Sequence, residues 1–148
     1  MRSGLCGRVL HEGAGQGEAL VLDEPLSFWG GFDVATGRII DQHHPQAGLC
    51  VRGRILAVPE SRGSAATPGG IAESIRRGTA PAAIVLAKPD VNVAVGAMIA
   101  SVLYGVDLPV IALDRAAFRS LETGNRVRIA RNGTVTVDRD TGIKRPTR

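Results

Sequence analysis

Aromatic side chains are scarce in this 148-residue sequence: Phe, Trp and Tyr together make up 3% of it. A folded core must therefore be built from Val, Ile, Leu and Ala. Lysine is scarcer still, with only Lys88 and Lys144, so the net charge of +4 comes almost entirely from arginine. Because these arginines are scattered and stacking aromatics are nearly absent, we expect no nucleic-acid partner despite a pI near 9.8.

Cysteine and histidine, two common metal ligands, number only two and three. Cys6 and Cys50 lie far apart and outside any CxxC pattern, which predicts two reduced, buried thiols. His43 and His44 are adjacent, so on an extended segment they point to opposite faces and do not share one metal ion. We expect no metal bound by this chain alone, and we expect His44 to lie in a loop that contacts a partner or a substrate.

Long hydrophobic runs are also missing. Residues 1–13 lack the continuous apolar stretch of a signal peptide. The longest apolar run, over residues 93–105, is too short and too interrupted to span a bilayer. These absences predict a soluble protein of the cytoplasm with no membrane partner.

What the sequence has in abundance is glycine, at nineteen residues, between short apolar segments. Four strands are predicted before residue 80, bounded by Gly and Pro, at residues 4–10, 17–22, 36–41 and 52–58. The apolar runs at residues 54–58, 82–87 and 109–113 then alternate with predicted helices over residues 68–77, 92–104 and 115–123. This alternation indicates an α/β fold with a parallel βαβαβ unit and additional β-strands in front of it.

Capping residues mark the predicted helix ends. The predicted starts are Thr67, Asp90 or Asn92, and Asp114, and the predicted ends are Gly78, Gly105 and Gly124. Residues 126–137 predict a hairpin, because Asn132-Gly133 favours a type I′ turn between alternating valines and isoleucine. We expect one domain over residues 1–138 and a flexible, charged tail over residues 139–148.

Three stretches contain residues typical of binding or catalytic sites. The evidence for such a site is weakest at Gly13–Gly17. Its glycines resemble a phosphate-binding loop, but the spacing is G-x-G-x-G and a predicted strand follows instead of a helix. A tight turn is the preferred interpretation.

The second stretch, residues 23–41, places two of the five aromatic residues in a loop. Phe28 and Trp29 lie between Ser27 and the pair Gly30-Gly31. This apolar loop tip is either a plug in the core or a contact with a partner, and the sequence leaves both interpretations open.

The third stretch, residues 59–67, is unusually long and polar for a strand-to-helix connection. Ligands of open α/β sheets bind beyond the carboxyl ends of parallel strands, and a helix N-terminus favours an anion. Gly63 permits a sharp turn, Arg62 suits a carboxylate or phosphate, and the Ser64 hydroxyl would have positive charge beside it. Without a histidine in the loop a hydrolase triad is not indicated, and a polar capping loop is the alternative.

Four stretches together resemble the small subunit of the aconitase X family. They are EALVLDEPLSFWGGFDVATGRIID at residues 18–41, His44-Pro45, VPESRGS at residues 58–64 and GTAPAAIVLAKPD at residues 78–90. The resemblance covers residues 5–115. It implies a swivelling β/β/α domain, similar to the mobile fourth domain of aconitases, that closes over a large subunit whose own cysteines hold iron or an iron–sulfur cluster.

The resemblance also implies a reaction and a site. Similar proteins dehydrate small hydroxy acids: cis-3-hydroxy-L-proline in many bacterial forms and (R)-5-phosphomevalonate in archaeal forms. The proton-accepting serine of the family falls in an RGS motif that corresponds to Arg62, Gly63 and Ser64, so Ser64 is expected to be catalytic and Ser61, Arg62 and Gly63 to bind substrate. Ser27, Phe28, Trp29, Gly30 and His44 are expected in a loop at the partner or the active site.

The loop departs from the phosphomevalonate pattern. Relatives of that type commonly read GRGS, followed by Ser or Thr and a Gly-Ser pair, whereas this sequence reads SRGSAATPGG from Ser61 onward. The difference favours hydroxyproline as substrate. Alternatives are a phosphomevalonate dehydratase small subunit, a non-catalytic swivelling module such as a phosphohistidine carrier, and an interaction domain that has lost its enzymatic role, against which the RGS loop counts.

Overall fold

A computed structural model describes residues 2–62 and 65–139 of the chain. In chain order its strands are β1 Arg2–Cys6, β2 Arg8–His11, β3 Gly15–Val21, β4 Phe32–Asp33, β5 Arg38–Ile39, β6 Ile55–Val58, β7 Ala83–Leu86, β8 Val110–Ala112, β9 Arg126–Ile129 and β10 Thr134–Asp138, and its helices are α1 Thr67–Arg77, α2 Val91–Tyr104 and α3 Arg115–Arg119. None of the helices within these ranges combines the length and the apolar character that a bilayer-spanning segment requires.

Eight strands form one sheet in the order β1-β10-β9-β3-β6-β7-β8-β2. Strand β3 belongs to both halves of this sheet. It pairs antiparallel with β9 through Gly15–Glu18 and parallel with β6 through Ala19–Val21. Since β6, β7 and β8 are also parallel, the predicted βαβαβ unit is β6-α1-β7-α2-β8.

The two ends of the sheet order meet at Gly7, which joins β1 to β2. The predicted strand over residues 4–10 is therefore wrong as one straight element: β1 pairs with β10, and β2 pairs with β8. The bend needs a glycine, since a Cβ at Gly7 would lie 2.8 Å from Ile111 Cδ1 and 3.2 Å from the Gly133 carbonyl oxygen. The Gly7 N–H donates to that carbonyl at 2.9 Å.

The sheet thereby folds into two layers, and the helices α1 and α2 add a third. Side chains along β6 alternate between two cores because successive residues of a strand point to opposite faces. Ile55 and Ala57 pack in the core shared with Val127 and Ile129 of the antiparallel layer. Leu56 and Val58 pack in the core beneath α1 and α2, which contribute buried residues Ile71, Ile75, Val93, Ala97 and Ala100. The layers are β/β/α, as expected.

The helix caps agree with the predictions in most places. The Asp90 carboxylate accepts from the Asn92 N–H at 2.8 Å, and the Asp114 carboxylate accepts from the Ala117 N–H at 2.8 Å. Gly78 and Gly105 end α1 and α2 in the left-handed conformation. Thr67 as a cap was wrong: the cap position is Ala66, and Thr67 lies inside the helix with its side chain fully buried.

The third helix is shorter than predicted and ends before Ser120 instead of at Gly124. The Ser120 hydroxyl donates to the Ala117 carbonyl at 2.7 Å, and Leu121 then turns into the core. The Gly124 N–H donates to the Ala19 carbonyl at 3.0 Å, which ties this segment to β3. These bonds stop the helix one turn early.

Two turns also differ from the predictions. The β9–β10 hairpin forms, but only Gly133, and not Asn132, has a positive φ, so its turn is not type I′. The Asn132 side chain accepts from the Thr134 N–H at 3.0 Å, which stabilises a longer loop. Gly13–Gly17 is not a tight turn, because β3 already begins at Gly15.

Two further sequence predictions concern short or terminal segments. The strand predicted at residues 36–41 is reduced to β5, a two-residue strand paired with β4. Arg139, the first residue of the predicted tail, donates to the Ser120 carbonyl at 2.9 Å and to the Ser3 hydroxyl. The rest of that tail, residues 140–148, lies outside the described residues.

Candidate functional site

Two segments that the sequence singled out lie side by side at the carboxyl end of β6. Leu26 forms a parallel bridge with Ser61. The Leu26 N–H donates to the Glu60 carbonyl at 3.3 Å, and the Arg62 N–H donates to the Leu26 carbonyl at 2.9 Å. The loop after β6 is thus anchored to the segment that leads to Trp29, while the Arg62 side chain is exposed.

Two buried hydroxyls flank the part of the loop that precedes α1. Ser61 is 5% exposed and Thr67 is 0% exposed, and neither side-chain oxygen has a hydrogen-bond partner among the residues that the structure describes. A buried hydroxyl without a partner costs free energy, so its presence beside a helix N-terminus is consistent with a polar ligand site. Gly63 and Ser64, which the sequence places between them, lie outside the described residues.

The aromatic pair is divided between the core and the surface. Phe28 is 1% exposed and meets Phe32 edge to face, with ring centroids 6.2 Å apart. Trp29 is 58% exposed. Phe28 therefore plugs the core, whereas Trp29 presents its indole outward, and its contact with a partner stays a prediction.

Local hydrogen bonds and glycines fix the turn that carries Trp29. The Ser27 hydroxyl donates to the Trp29 carbonyl at 2.5 Å and accepts from the Trp29 N–H at 3.3 Å. Gly30 follows with a φ of 96°, in the left-handed region that glycine tolerates. Ser27 and Gly30 thus shape the turn, and Trp29 is the exposed side chain that they position.

The same turn packs against the first turns of α1 because Gly70 has no side chain. A Cβ at Gly70 would overlap the Phe28 carbonyl oxygen and would lie 3.8 Å from the Trp29 ring. The close approach places the indole beside the N-terminal half of α1, next to the loop that carries Ser61 and Arg62. The aromatic loop and the polar loop therefore form one candidate site.

His44 is a buried residue that stabilises the segment leading to this site. It is 5% exposed, and its Nδ1 accepts from the Gln46 N–H at 3.0 Å. Nε2 must then carry the proton that it donates to the Glu24 carbonyl at 3.2 Å. With both ring nitrogens engaged within the chain, His44 positions the segment before Leu26, whereas its neighbour His43 is exposed.

A groove of about 680 Å³ lies at the carboxyl ends of β3, β6 and β7 and is closed on one side by α3. Three cationic side chains, Lys88, Arg115 and Arg119, line it, together with the carboxylates Asp23 and Glu60. Lys88 Nζ lies 3.9 Å from a Glu60 carboxylate oxygen. Sequence reasoning missed this group because its members come from separate segments, although Arg115 and Arg119 have the i, i+4 spacing of one helix face.

The described residues do not form a metal centre. No three or more His, Cys, Asp or Glu side chains among them lie close enough together to hold a metal ion. The prediction that both thiols are buried is wrong, because Cys6 is exposed on the edge strand β1 and Cys50 is half-buried. The Cys50 thiol is 3.7 Å from the Thr36 carbonyl. An iron–sulfur cluster needs several grouped thiolates, so the described part of this chain does not fit one.

The three layers and the loop at the carboxyl end of β6 define a swivel domain of the aconitase type. The family model for the aconitase X swivel domain matches residues 4–137, and the chain belongs to that family. The family and the fold expected from the sequence resemblance are both confirmed.

Named relatives agree with this assignment. The chain is 44% identical over 106 residues to the cis-3-hydroxy-L-proline dehydratase of Pseudomonas aeruginosa. The aligned region covers 72% of this chain and 18% of that protein. It is also 43% identical over 95 residues to the phosphomevalonate dehydratase small subunit of Methanothermobacter thermautotrophicus. That alignment covers 64% of this chain and 72% of the subunit. The chain therefore spans only about a fifth of the length of the bacterial relative.

A solved structure has the same fold. Aconitase X of Thermococcus kodakaraensis, in its holo form, matches with a TM-score of 0.82 and 31% identity over 93% of this chain and 99% of that chain. Family membership favours a dehydratase component over a phosphohistidine carrier.

Proposed function

We propose that this chain is the small, swivelling subunit of an aconitase X-type hydro-lyase, active in the cytoplasm together with a large subunit. The large subunit would hold the iron or iron–sulfur centre, since the described residues of this chain do not fit one. The observation that carries the proposal is the segment from the end of β6 to the first turn of α1. The buried hydroxyls of Ser61 and Thr67, which have no hydrogen-bond partner among the described residues, lie on either side of Arg62 in this segment.

In this proposal Ser64 accepts the proton that leaves the carbon next to the substrate carboxylate. A serine hydroxyl is a weak base in water, so its anion must be stabilised by positive potential in a site from which water is excluded. The Arg62 guanidinium and the positive end of the α1 dipole supply that potential. Ser61, Arg62 and Gly63 would contact the substrate, and Arg62 would pair with its carboxylate.

The exposed Trp29 has a complementary role in this proposal. When the domain closes on the large subunit, the indole beside α1 covers the site and helps to exclude water, which strengthens the electrostatic interactions inside it. Ser27 and Gly30 hold the turn, Phe28 anchors it in the core, and His44 braces the preceding segment.

The proposed substrate is cis-3-hydroxy-L-proline. The sequence after Ser64, with Ala65, Ala66 and Thr67, departs from the phosphomevalonate pattern. In addition, one relative that is 44% identical is a cis-3-hydroxy-L-proline dehydratase. Phosphomevalonate is the second candidate. Two observations favour it: a phosphomevalonate dehydratase small subunit that is 43% identical, and the groove lined by Lys88, Arg115 and Arg119, whose cations suit a phosphate.

The test is a side-by-side assay of both substrates with this chain and the large aconitase X subunit of the same organism, purified together with its iron. We expect dehydration of cis-3-hydroxy-L-proline with a kcat/KM at least about 100-fold above that for phosphomevalonate, because a site built for one set of polar groups rejects the other. The isolated chain serves as control and should be inert. The opposite preference would establish the second candidate, and no turnover of either substrate would contradict the proposal.

A further inference from the structure

Helix α2 has no charged residue anywhere on its surface. Between Asp90 and Asp107 the sequence contains no Asp, Glu, Lys or Arg. The other two helices differ: α1 exposes Arg76 and Arg77, and α3 exposes Arg115 and Arg119. A helix that is apolar all round is normally buried on all sides, so α2 lacks a cover.

The uncovered residues are large and well exposed. Six of them form what we call the α2 face: Val91, Met98, Val102, Leu103, Tyr104 and Val106. Val102 is 79% exposed, Val91 72% and Leu103 64%. Val91, Met98 and Val102 follow one side of the helix, being seven and four residues apart. The inner side, with Val93, Ala97 and Ala100, already fills the core, so the outer side is not required for folding.

Charged groups border the α2 face at both ends. At one end, Asp90 caps the helix. At the other, Asp107 accepts from the Ser101 hydroxyl at 2.6 Å and lies 3.6 Å from Arg131. An apolar centre with a polar border is the usual anatomy of a protein–protein interface.

The extent of the face argues against a second copy of this chain as its cover. A stable interface buries about 800 Å² on each partner, from roughly 20–30 residues, whereas the α2 face has six. Two copies joined through α2 alone would therefore fall short. A larger partner could obtain the rest of its contact area from the surface between the α2 face and the groove at the carboxyl ends of the strands. The two are adjacent, because Lys88 and Pro89 line that groove and Val91 follows two residues after Pro89.

We infer that the α2 face is the docking surface for the large, iron-bearing subunit. The inference rests on the proposed function, which requires a large partner to reach the carboxyl ends of the strands. A partner at that edge contacts Val91 first and extends along Met98 and Val102, which buries the apolar helix and anchors the swivelling domain. The contact is apolar, so its affinity depends only weakly on salt.

The test compares two charge-adding variants in binding to the recombinant large subunit of the same organism. The double variant Met98→Glu/Val102→Glu places charge on the α2 face. The control Thr134→Glu places charge at an exposed position on β10, in the layer opposite the helices. By isothermal titration calorimetry we expect the double variant to bind at least about tenfold more weakly than wild type and the control to bind unchanged. Circular dichroism should give unchanged spectra and cooperative melting for all three chains.

Three outcomes overturn the inference. Unchanged binding by a folded double variant, with an active wild-type complex, contradicts the α2 docking surface alone and leaves the proposed function intact. A wild-type chain that does not bind the large subunit contradicts both. A wild-type dimer in sedimentation velocity that Met98→Glu/Val102→Glu dissociates would identify a second copy as the occupant. Binding that the double variant weakens, without turnover of either substrate, supports the docking surface and contradicts only the proposed reaction.

Discussion

Gly70 sets the distance between α1 and the aromatic loop. It is a helical residue with an ordinary conformation, so its role comes from the space it leaves open. The Phe28 carbonyl occupies that space, and backbone cannot yield as a flexible side chain would. Gly69, its neighbour in the same helix turn, faces open space, since a Cβ there would meet no atom within 4 Å.

The pair Gly70→Ala and Gly69→Ala separates this packing role from helix propensity. We expect Gly70→Ala to lower the free energy of unfolding by about 1–3 kcal/mol, because the added methyl group forces the loop and helix apart. Gly69→Ala should raise it by about 0.5–1 kcal/mol, since alanine favours the helix and meets nothing. Urea unfolding measures both. Equal stabilisation by the two variants would contradict the close approach at Phe28.

At the scale of a single element, a cluster of charged side chains stabilises the exposed side of α1. Glu73 accepts hydrogen bonds from Arg76 at 2.8 and 2.6 Å and from Arg77 at 2.8 Å, at spacings of three and four residues. The hydrogen bonds from Arg76, and next those from Arg77, lower the pKa of Glu73 from 4.5 to about 2. The ionised carboxylate is therefore favoured in the folded helix.

A depressed pKa in the folded state stabilises the protein above the unfolded value and ceases to do so as the pH falls through the folded value. Glu73→Gln should therefore melt at a lower temperature than wild type at pH 7. The difference should shrink between pH 4.5 and pH 2, where the wild-type carboxylate becomes protonated. Circular dichroism melting curves across this range measure it, and Glu122→Gln, at an exposed position outside the cluster, is the matched control. A difference that stays constant with pH would contradict the role of the carboxylate charge.

Local sequence signals predicted the elements well where the deciding contacts are local. The Asp90 and Asp114 caps and the terminal glycines Gly78 and Gly105 act within a few residues, so their positions could be read from the chain. The position of Thr67 inside the helix could not be read from the chain, because its complete burial is a tertiary effect. The early end of α3 likewise depends on Gly124 bonding to Ala19 of a distant strand.

At the scale of the whole molecule, alternating apolar strands and helices predicted the parallel unit, but not how the sheet closes. The bend at Gly7 follows from contacts with Ile111 and Gly133, more than a hundred residues away. The candidate site likewise combines a feature that the sequence predicted with one that it could not predict. The position of Ser61 and Arg62 between strand and helix was predictable, whereas the bridge between Leu26 and Ser61 was not.

In the proposed complex this domain supplies one side of the active site. Its polar loop and its exposed tryptophan lie together beside the start of α1, and the α2 face remains available for a large partner. Because the proposed function assigns the iron to the large subunit, the reaction is expected only in the complex.

The central claim is that Ser64 of this chain removes a proton within that complex. Its most direct measurement is the rate at which the proton next to the carboxylate of cis-3-hydroxy-L-proline is lost, followed by NMR, with the large subunit paired to wild type or to Ser64→Ala. We predict a rate lower by about 100-fold or more for Ser64→Ala, with unchanged affinity between the subunits. Equal rates for the two complexes would contradict the account.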